Sequence, residues 1–140
     1  MAEINRKLEN LSKMIAALDR SVKKLDKSKE DELEFFQDSV VARFKILIES
    51  TWKNMAIILQ AQGFADLPAS PKGIIAFAVD AKMIAPYEAE IFSKFLMLRN
   101  LAAHLYDQSQ YLLVVSAAPE ALILIKKIYQ RMLAQQMVLT

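Results

Sequence analysis

Hydrophobic residues recur near the start of the chain at alternating spacings of four and three, while the positions between them are mostly polar. The apolar positions are Ile4, Leu8, Leu11, Ile15, Leu18, Val22 and Leu25. This spacing places all of them on one face of an amphipathic helix. The narrow seam is compatible with a coiled-coil strand, but its length is more typical of a helix in a bundle.

A second, longer helix is predicted to follow. Ser28 and Asp31 have a spacing that suits a capping pair, and Gly63 is placed to end the helix about thirty residues later. Such a helix is about 45 Å long, enough to span the domain. Its apolar positions are Phe36, Val40, Phe44, Leu47, Ile48, Trp52, Met55 and Leu59.

Three further segments complete the pattern after a loop at 64–69. Ser70-Pro71 has the signature of an N-cap followed by Pro at the first helical position, and Pro86 opens another helix. Residues 111–115 form an apolar run that fits either a strand or a helix, so Ser116 and Pro119 are expected to start the last helix. The residues expected to face inward on these helices are Ile74, Ile75, Ala78, Val79, Ile91, Phe95, Leu98, Ala102, Leu122, Ile125, Ile128, Met132 and Leu133.

Composition supports an all-α fold, namely one domain over residues 1–140 built as an antiparallel up-and-down bundle of about five helices. The sequence has 140 residues but only 2 Gly and 4 Pro, too few for a sheet protein with many tight turns. The hydrophobic fraction of 54% suggests apolar surface left over for a partner, and a homodimer is the simplest way to cover it.

Several classes of protein are disfavoured by the same numbers. There is no Cys, which excludes disulfides, thiolate catalysis and Cys-ligated zinc. No apolar run has the length of a membrane span, and charged residues follow Met1 at once, so we expect no membrane association and a cytoplasmic location. The net charge of +2 is not that of a polycation. Residues 2–29 have a local basic excess, which could hold a phosphate backbone but is more simply a solvated helix face.

The one segment rich in chemistry lies near the end of the predicted fourth helix, where Arg99, Asn100, His104, Tyr106 and Asp107 interrupt an apolar sequence. A lone histidine on such a helix is most often structural, but these neighbours make a polar island that burial would penalise. Asn100 and His104 share a helix face. Arg99 and His104 diverge by about 140° on a straight helix, so acting together requires a kink, a helix end or a reaching side chain.

Arg and His together suit RNA cleavage. His moves protons near neutral pH, and the Arg guanidinium can stabilise charge on a phosphorane. RNA brings its own nucleophile, the 2′-hydroxyl, so no metal or cofactor is needed. Acid–base cleavage favours two proton-transfer groups, and the chain has 1 His. A two-fold dimer would supply the second.

The pattern Arg-x4-His-x-Tyr, with Asn directly after Arg, resembles the signature of the HEPN superfamily, and most closely its bacterial branch of nucleotidyltransferase substrate-binding proteins. The resemblance covers roughly residues 30–108. Other segments that fit it in order and spacing are Arg43-Phe44, Glu49, Trp52-Lys53, Gly63 and Ser70-Pro71-Lys72. The apolar run 111–115 departs from it, since a more acidic helix is expected there.

The resemblance implies a dimeric five-helix bundle with the motifs facing across a cleft. It implies a toxin of a HEPN/MNT toxin–antitoxin pair: an endoribonuclease acting on RNA, with transfer RNA a known target class. A cognate minimal nucleotidyltransferase would silence it by attaching AMP to Tyr106. By position, Arg99 and His104 become the catalytic candidates and Asn100 a supporting group.

One alternative function remains open, and one further group of residues has two interpretations. The chain could be a non-catalytic subunit that presents a nucleotide or substrate to the transferase, with Arg99 and His104 only holding a phosphate. Trp52, Lys53 and Glu49 could form part of a partner groove, although a core Trp with solvated neighbours is the simpler interpretation. The remaining flexible side chains, Met83, Met97, Met132 and Met137, are expected to fill gaps in the core or an interface.

Overall fold

The computed structural model describes residues 2–102 and 108–139, and within these ranges all regular structure is helical. The α-helices are α1 (Ala2–Asp26), α2 (Leu33–Ala61), α3 (Pro71–Asp80), α4 (Pro86–Ala102) and α5 (Gln108–Leu139). A short 3-10 helix, Glu30–Glu32, precedes α2. The predicted all-α bundle of about five helices is confirmed.

Polar contacts show the directions of the four long helices. Arg43 of α2 donates to Ala17 of α1, while Ser39 pairs with Ser21, so α1 and α2 are antiparallel. Asp38 of α2 and Gln62, just after its end, contact Tyr111 and Gln135 of α5, so α2 and α5 run the same way. Glu88 near the start of α4 pairs with Arg131 near the end of α5, so these two are antiparallel. In chain order, the four long helices α1, α2, α4 and α5 therefore run up, down, up and down.

The core is a single apolar cluster to which every α-helix contributes. Phe44, Phe92, Phe95 and Met83 are at most 2% exposed, and Phe95 packs edge-on against both other rings. On α1 the predicted seam is buried from Ile4 to Leu18, while its last two members are half-buried at the rim. The periodicity of apolar residues therefore placed the α1 interface correctly.

The start of α2 differs from the expectation. The Ser28 hydroxyl donates to the carbonyl of Leu25, 2.7 Å away, instead of capping with Asp31. The backbone N–H of Lys29 instead meets the Glu32 carboxylate at 3.4 Å. Ser28 thus closes the end of α1, because both its hydroxyl and its backbone N–H donate to the Leu25 carbonyl of the last turn. The end of α2 is as predicted, since Gly63 adopts a φ of 95° just after it.

The final helix begins earlier than predicted. Residues 111–115 are helical, and α5 runs unbroken from Gln108, so Pro119 lies inside the helix and does not start it. Pro119 is exposed and Ala118 and Ala121 beside it are buried. Packing of α5 against the bundle outweighs the missing N–H of proline, which local sequence cannot reveal.

The buried face of α4 is also rotated from the expected one. Phe92, Phe95 and Leu96 are buried, whereas Ile91 and Leu98 are half-buried at its edges. Of the four methionines expected to fill gaps, Met83 and Met132 are buried, while Met97 and Met137 are 57% and 72% exposed. Among the described residues no helix is long and apolar enough to cross a membrane.

Candidate functional site

Two of the predicted site residues, Arg99 and Asn100, lie at the C-terminal end of α4. The Arg99 side chain is 20% exposed, and Asn100 is exposed. His104 and Tyr106 fall outside the described residues. The catalytic roles of Arg99 and His104 and the modification of Tyr106 therefore stay predictions, and the orientation of His104 relative to Arg99, which the sequence left open, lies outside the described residues as well.

The Arg99 guanidinium is held from two sides. Its Nη1 forms an ion pair with Oε2 of Glu49 on α2. Its Nε and Nη2 donate to Oδ1 of the adjacent Asn100, at 3.2 and 2.6 Å. All three guanidinium nitrogens are thus engaged, so the fork is fixed in one orientation at the surface. Asn100 thus contacts Arg99 directly, and its supporting role stays a prediction.

Glu49 connects Arg99 to two other side chains of α2. The Trp52 indole Nε1 donates to Glu49 Oε2 at 3.2 Å, and Lys53 Nζ lies 3.2 Å from Glu49 Oε1. The Lys53 ammonium is also 6.0 Å from the centre of the Trp52 ring. Trp52 is half-buried against the core, in line with the simpler interpretation, whereas Glu49 and Lys53 line a groove.

A groove of about 540 Å³ opens beside this cluster, between α2 and the end of α4. Its walls carry three cationic side chains and one carboxylate, so the site favours an anionic ligand. The lining residues are Lys45, Ile46, Glu49, Ser50, Lys53, Arg99 and Asn100. On the other side of Asn100 a second cavity of about 370 Å³ includes Lys72, Ser93 and Lys94.

The start of α5 is tied to the same helix. The Tyr111 hydroxyl donates to Asp38 of α2. Burial, and then the neighbouring Asp38 carboxylate, raise the pKa of Tyr111, so its phenol stays protonated and remains a donor. Contacts with α2 therefore flank residues 103–107 on both sides, through Arg99 before them and through Tyr111 after them.

Sequence alone does not reveal the pairing of Glu49 with Arg99. The two residues lie 50 positions apart on different helices, and no periodicity relates them. The only sequence signal was the isolated carboxylate of Glu49 beside Trp52 and Lys53. Within residues 2–102 and 108–139 no three His, Cys, Asp or Glu side chains are placed to hold a metal ion.

Comparison with known proteins identifies a family whose model matches this chain. Residues 6–134 match the model of the family described as nucleotidyltransferase substrate binding protein like. A crystal structure of a Thermus thermophilus protein superposes with a TM-score of 0.75 at 24% identity, covering 87% of this chain and 98% of that one. A chain from a crystal structure of a toxin–antitoxin with AMP-PNP superposes with a TM-score of 0.64 at 20% identity, covering 87% and 96%. Among curated proteins, none matches the sequence significantly.

Proposed function

This chain belongs to the nucleotidyltransferase substrate binding protein like family, as the HEPN resemblance predicted, and from that premise we propose that it is a metal-independent endoribonuclease, the toxin of a two-component module. The observation that carries the proposal is the Arg99 guanidinium, fixed by Glu49 and Asn100 on the wall of a cationic groove. A second observation supports the module, because one structural neighbour comes from a toxin–antitoxin.

The proposed chemistry uses the RNA 2′-hydroxyl as nucleophile. His104 accepts its proton while the oxygen attacks the adjacent phosphorus, and Arg99 stabilises the negative charge that grows on the phosphoryl oxygens. The bond to the 5′-oxygen then breaks, and that oxygen takes up a proton from a second group, which a dimer would supply as the partner's histidine. The products are a 2′,3′-cyclic phosphate and a 5′-hydroxyl.

Silencing by a cognate minimal nucleotidyltransferase is the second part of the proposal. Transfer of AMP from ATP to the Tyr106 hydroxyl would release pyrophosphate and place a phosphodiester close to the motif. The added negative charge would compete for Arg99, and the adenosine would occupy the groove. The AMP-PNP in the toxin–antitoxin neighbour is a ligand of that assembly, and it makes an ATP-dependent modification a natural hypothesis to test here.

The test is cleavage of total transfer RNA in EDTA by the wild type, Arg99→Ala and His104→Ala. We expect the single-turnover rate to fall by about 10²–10³-fold for the arginine variant and about 10²–10⁴-fold for the histidine variant. Lys127→Ala, an exposed change on α5, is the matched control and keeps the wild-type rate. If no protein cuts, even after phosphodiesterase has removed any AMP, the chain is the substrate-presenting subunit of the transferase and catalysis is ruled out.

A further inference from the structure

A third cavity lies next to the Arg99 groove, between α1 and α2, and has a volume of about 450 Å³. Its floor is apolar, with Met14 and Ala17 beside Ile46, and its rim is basic. Ile46, which is 53% exposed, lines both this cavity and the Arg99 groove, so the two are continuous. Asn10, Lys13, Arg20 and Arg43 complete the lining.

Charge is strongly segregated onto this continuous surface. The three neighbouring cavities, from α1 across α2 to α4, are lined by eight of the 18 Lys and Arg residues. Within residues 2–102 and 108–139, Glu49 is the one carboxylate that lines them. The cations are Lys13, Arg20, Arg43, Lys45, Lys53, Lys72, Lys94 and Arg99. A nearly neutral protein therefore presents one face of high positive potential.

The carboxylate nearest in sequence to Arg20 does not reduce this potential. Asp19 lies 2.9 Å from Lys23 on its own helix and 3.8 Å from Lys126 on α5. The hydrogen bond from Lys23 is the main cause that lowers the pKa of Asp19, although burial opposes it. Asp19 is thus paired on the side of α1 that meets α5, and no carboxylate in the described part of the chain forms an ion pair with Arg20.

Arg43 belongs to the wall of the third cavity, the groove between α1 and α2, and hydrogen bonds to α1 hold it there. Its Nη1 donates to the Ala17 carbonyl at 2.7 Å and to the Ser21 hydroxyl at 2.9 Å, and Ser21 is 2% exposed. These bonds use one nitrogen of the guanidinium. Among the described residues no hydrogen bond engages its Nη2 or Nε, so the N–H groups of these two nitrogens are held in position for a ligand.

We infer that the α1–α2 groove is a second phosphate-binding site for a single-stranded RNA segment that continues from the Arg99 groove, an inference that rests on the proposed ribonuclease function. Neighbouring helix axes lie about 8–10 Å apart, so the surface from α1 over α2 to α4 extends for about 16–20 Å, the length of several nucleotides. Basic side chains along the rim contact successive phosphates, and Met14 and Ile46 offer apolar surface to a base.

The test is fluorescence-anisotropy binding of a 2′-O-methylated, uncleavable single-stranded RNA at several salt concentrations. Each phosphate contact contributes about 0.7 to the slope of log affinity against log salt for a single strand. Lys13→Gln/Arg20→Gln is therefore expected to lower the magnitude of that slope by about 1.4 and to weaken binding about tenfold at 0.1 M salt. Arg43→Lys, which keeps the charge but loses the fork, is expected to weaken binding while leaving the slope unchanged.

The matched control, Lys29→Gln/Lys127→Gln, removes the same charge from exposed positions outside the three cavities and is expected to retain the slope. If the wild type binds RNA and both double variants have its slope, the groove proposal is wrong while the ribonuclease proposal stands. If Lys13→Gln/Arg20→Gln weakens only a complex with an acidic protein partner, the groove is a protein-docking site and the inference is overturned. If the wild type binds no RNA, the proposed function itself is wrong.

Discussion

Arg99 is engaged in two opposing ways. Glu49 and Asn100 fix its orientation, but the Glu49 carboxylate also competes with any phosphate for the same guanidinium. The Glu49 side chain is 35% exposed, so water screens the ion pair and reduces its net contribution to stability. Glu49 is therefore better placed to position Arg99 than to hold the fold together.

The variant Glu49→Gln is expected to separate binding from catalysis. Removal of the carboxylate charge frees Arg99 for phosphate, so RNA binds more tightly, by about threefold to tenfold. The orientation of Arg99 is less well fixed, so the single-turnover cleavage rate falls, by about tenfold. Binding to uncleavable RNA and cleavage at saturating enzyme measure the two effects. A loss of RNA affinity would contradict the competition described above.

Glu88 illustrates a residue with a structural role. The residue is 1% exposed, and its carboxylate accepts from Arg131 Nη1 and Nη2 at 2.5 and 3.2 Å and from the Ala85 N–H at 2.9 Å. The hydrogen bond from Arg131 is the main cause that lowers the pKa of Glu88 below its ordinary value of 4.5, against the effect of burial. The interaction thus stabilises the fold above that pH and is lost as the pH falls through the lower, folded value.

We expect Glu88→Gln to lower the free energy of unfolding by about 2 kcal/mol at pH 7, because a charged hydrogen-bond acceptor is removed. The difference from the wild type shrinks as the pH falls below 4.5, since the wild-type carboxylate also becomes protonated. Urea unfolding at pH 7 and at pH 3 measures this difference in the free energy of unfolding, with exposed Glu90→Gln as the control. A difference that grows toward acid pH would contradict the stabilising role of the ionised carboxylate.

At the scale of elements, helix starts and stops show what local sequence can predict. Ser70, Pro71 and Gly63 have the predicted roles, because cap chemistry and positive φ are local requirements. The unbroken course of α5 through Pro119 could not be predicted, because burial of its apolar face against distant helices decides it. The same limit hid the contact between Glu49 and Arg99.

At the start of α3, helix propensity and steric fit predict opposite effects of Gly73→Ala on stability. The Ser70 hydroxyl accepts from the Gly73 N–H at 3.1 Å, and a Cβ on Gly73 would lie 2.4 Å from Pro68 Cγ. Helix propensity alone would make Gly73→Ala stabilising by about 1 kcal/mol. We expect it instead to be destabilising, by about 1–3 kcal/mol, because the proline ring must move. Urea unfolding measures this change in stability, and a Gly73→Ala midpoint above that of the wild type would contradict the prediction.

The cap itself can be tested separately. Ser70→Ala removes the side-chain acceptor for Gly73 but adds no atoms near Pro68, so a loss of about 1 kcal/mol is expected from urea unfolding. Ser93→Ala on α4 is a suitable control, because its hydroxyl donates to the Ala89 carbonyl inside a helix that is already formed. A Ser70→Ala protein as stable as the wild type would contradict the N-cap role.

At the scale of the whole molecule, the helical class and the apolar seam of α1 could be predicted because both follow from periodicity.

The dimer stays a prediction. Five of the large apolar side chains that are more than two-fifths exposed lie on α5, namely Leu112, Leu113, Ile123, Met137 and Val138. We expect light scattering after gel filtration to give about twice the monomer mass of 15.9 kDa. A monomer mass at micromolar concentration would remove the partner histidine from the proposed mechanism.

The most direct test of the central claim is cleavage, in EDTA, of a short RNA carrying the mapped cut site, compared with the same RNA bearing one 2′-deoxynucleotide on the 5′ side of that cut. The mechanism predicts that the all-RNA strand is cut to a 2′,3′-cyclic phosphate and a 5′-hydroxyl, and that the single 2′-deoxy substitution abolishes the cut. Cleavage of the substituted strand at the same bond would contradict the account, because the nucleophile could not then be the RNA 2′-hydroxyl.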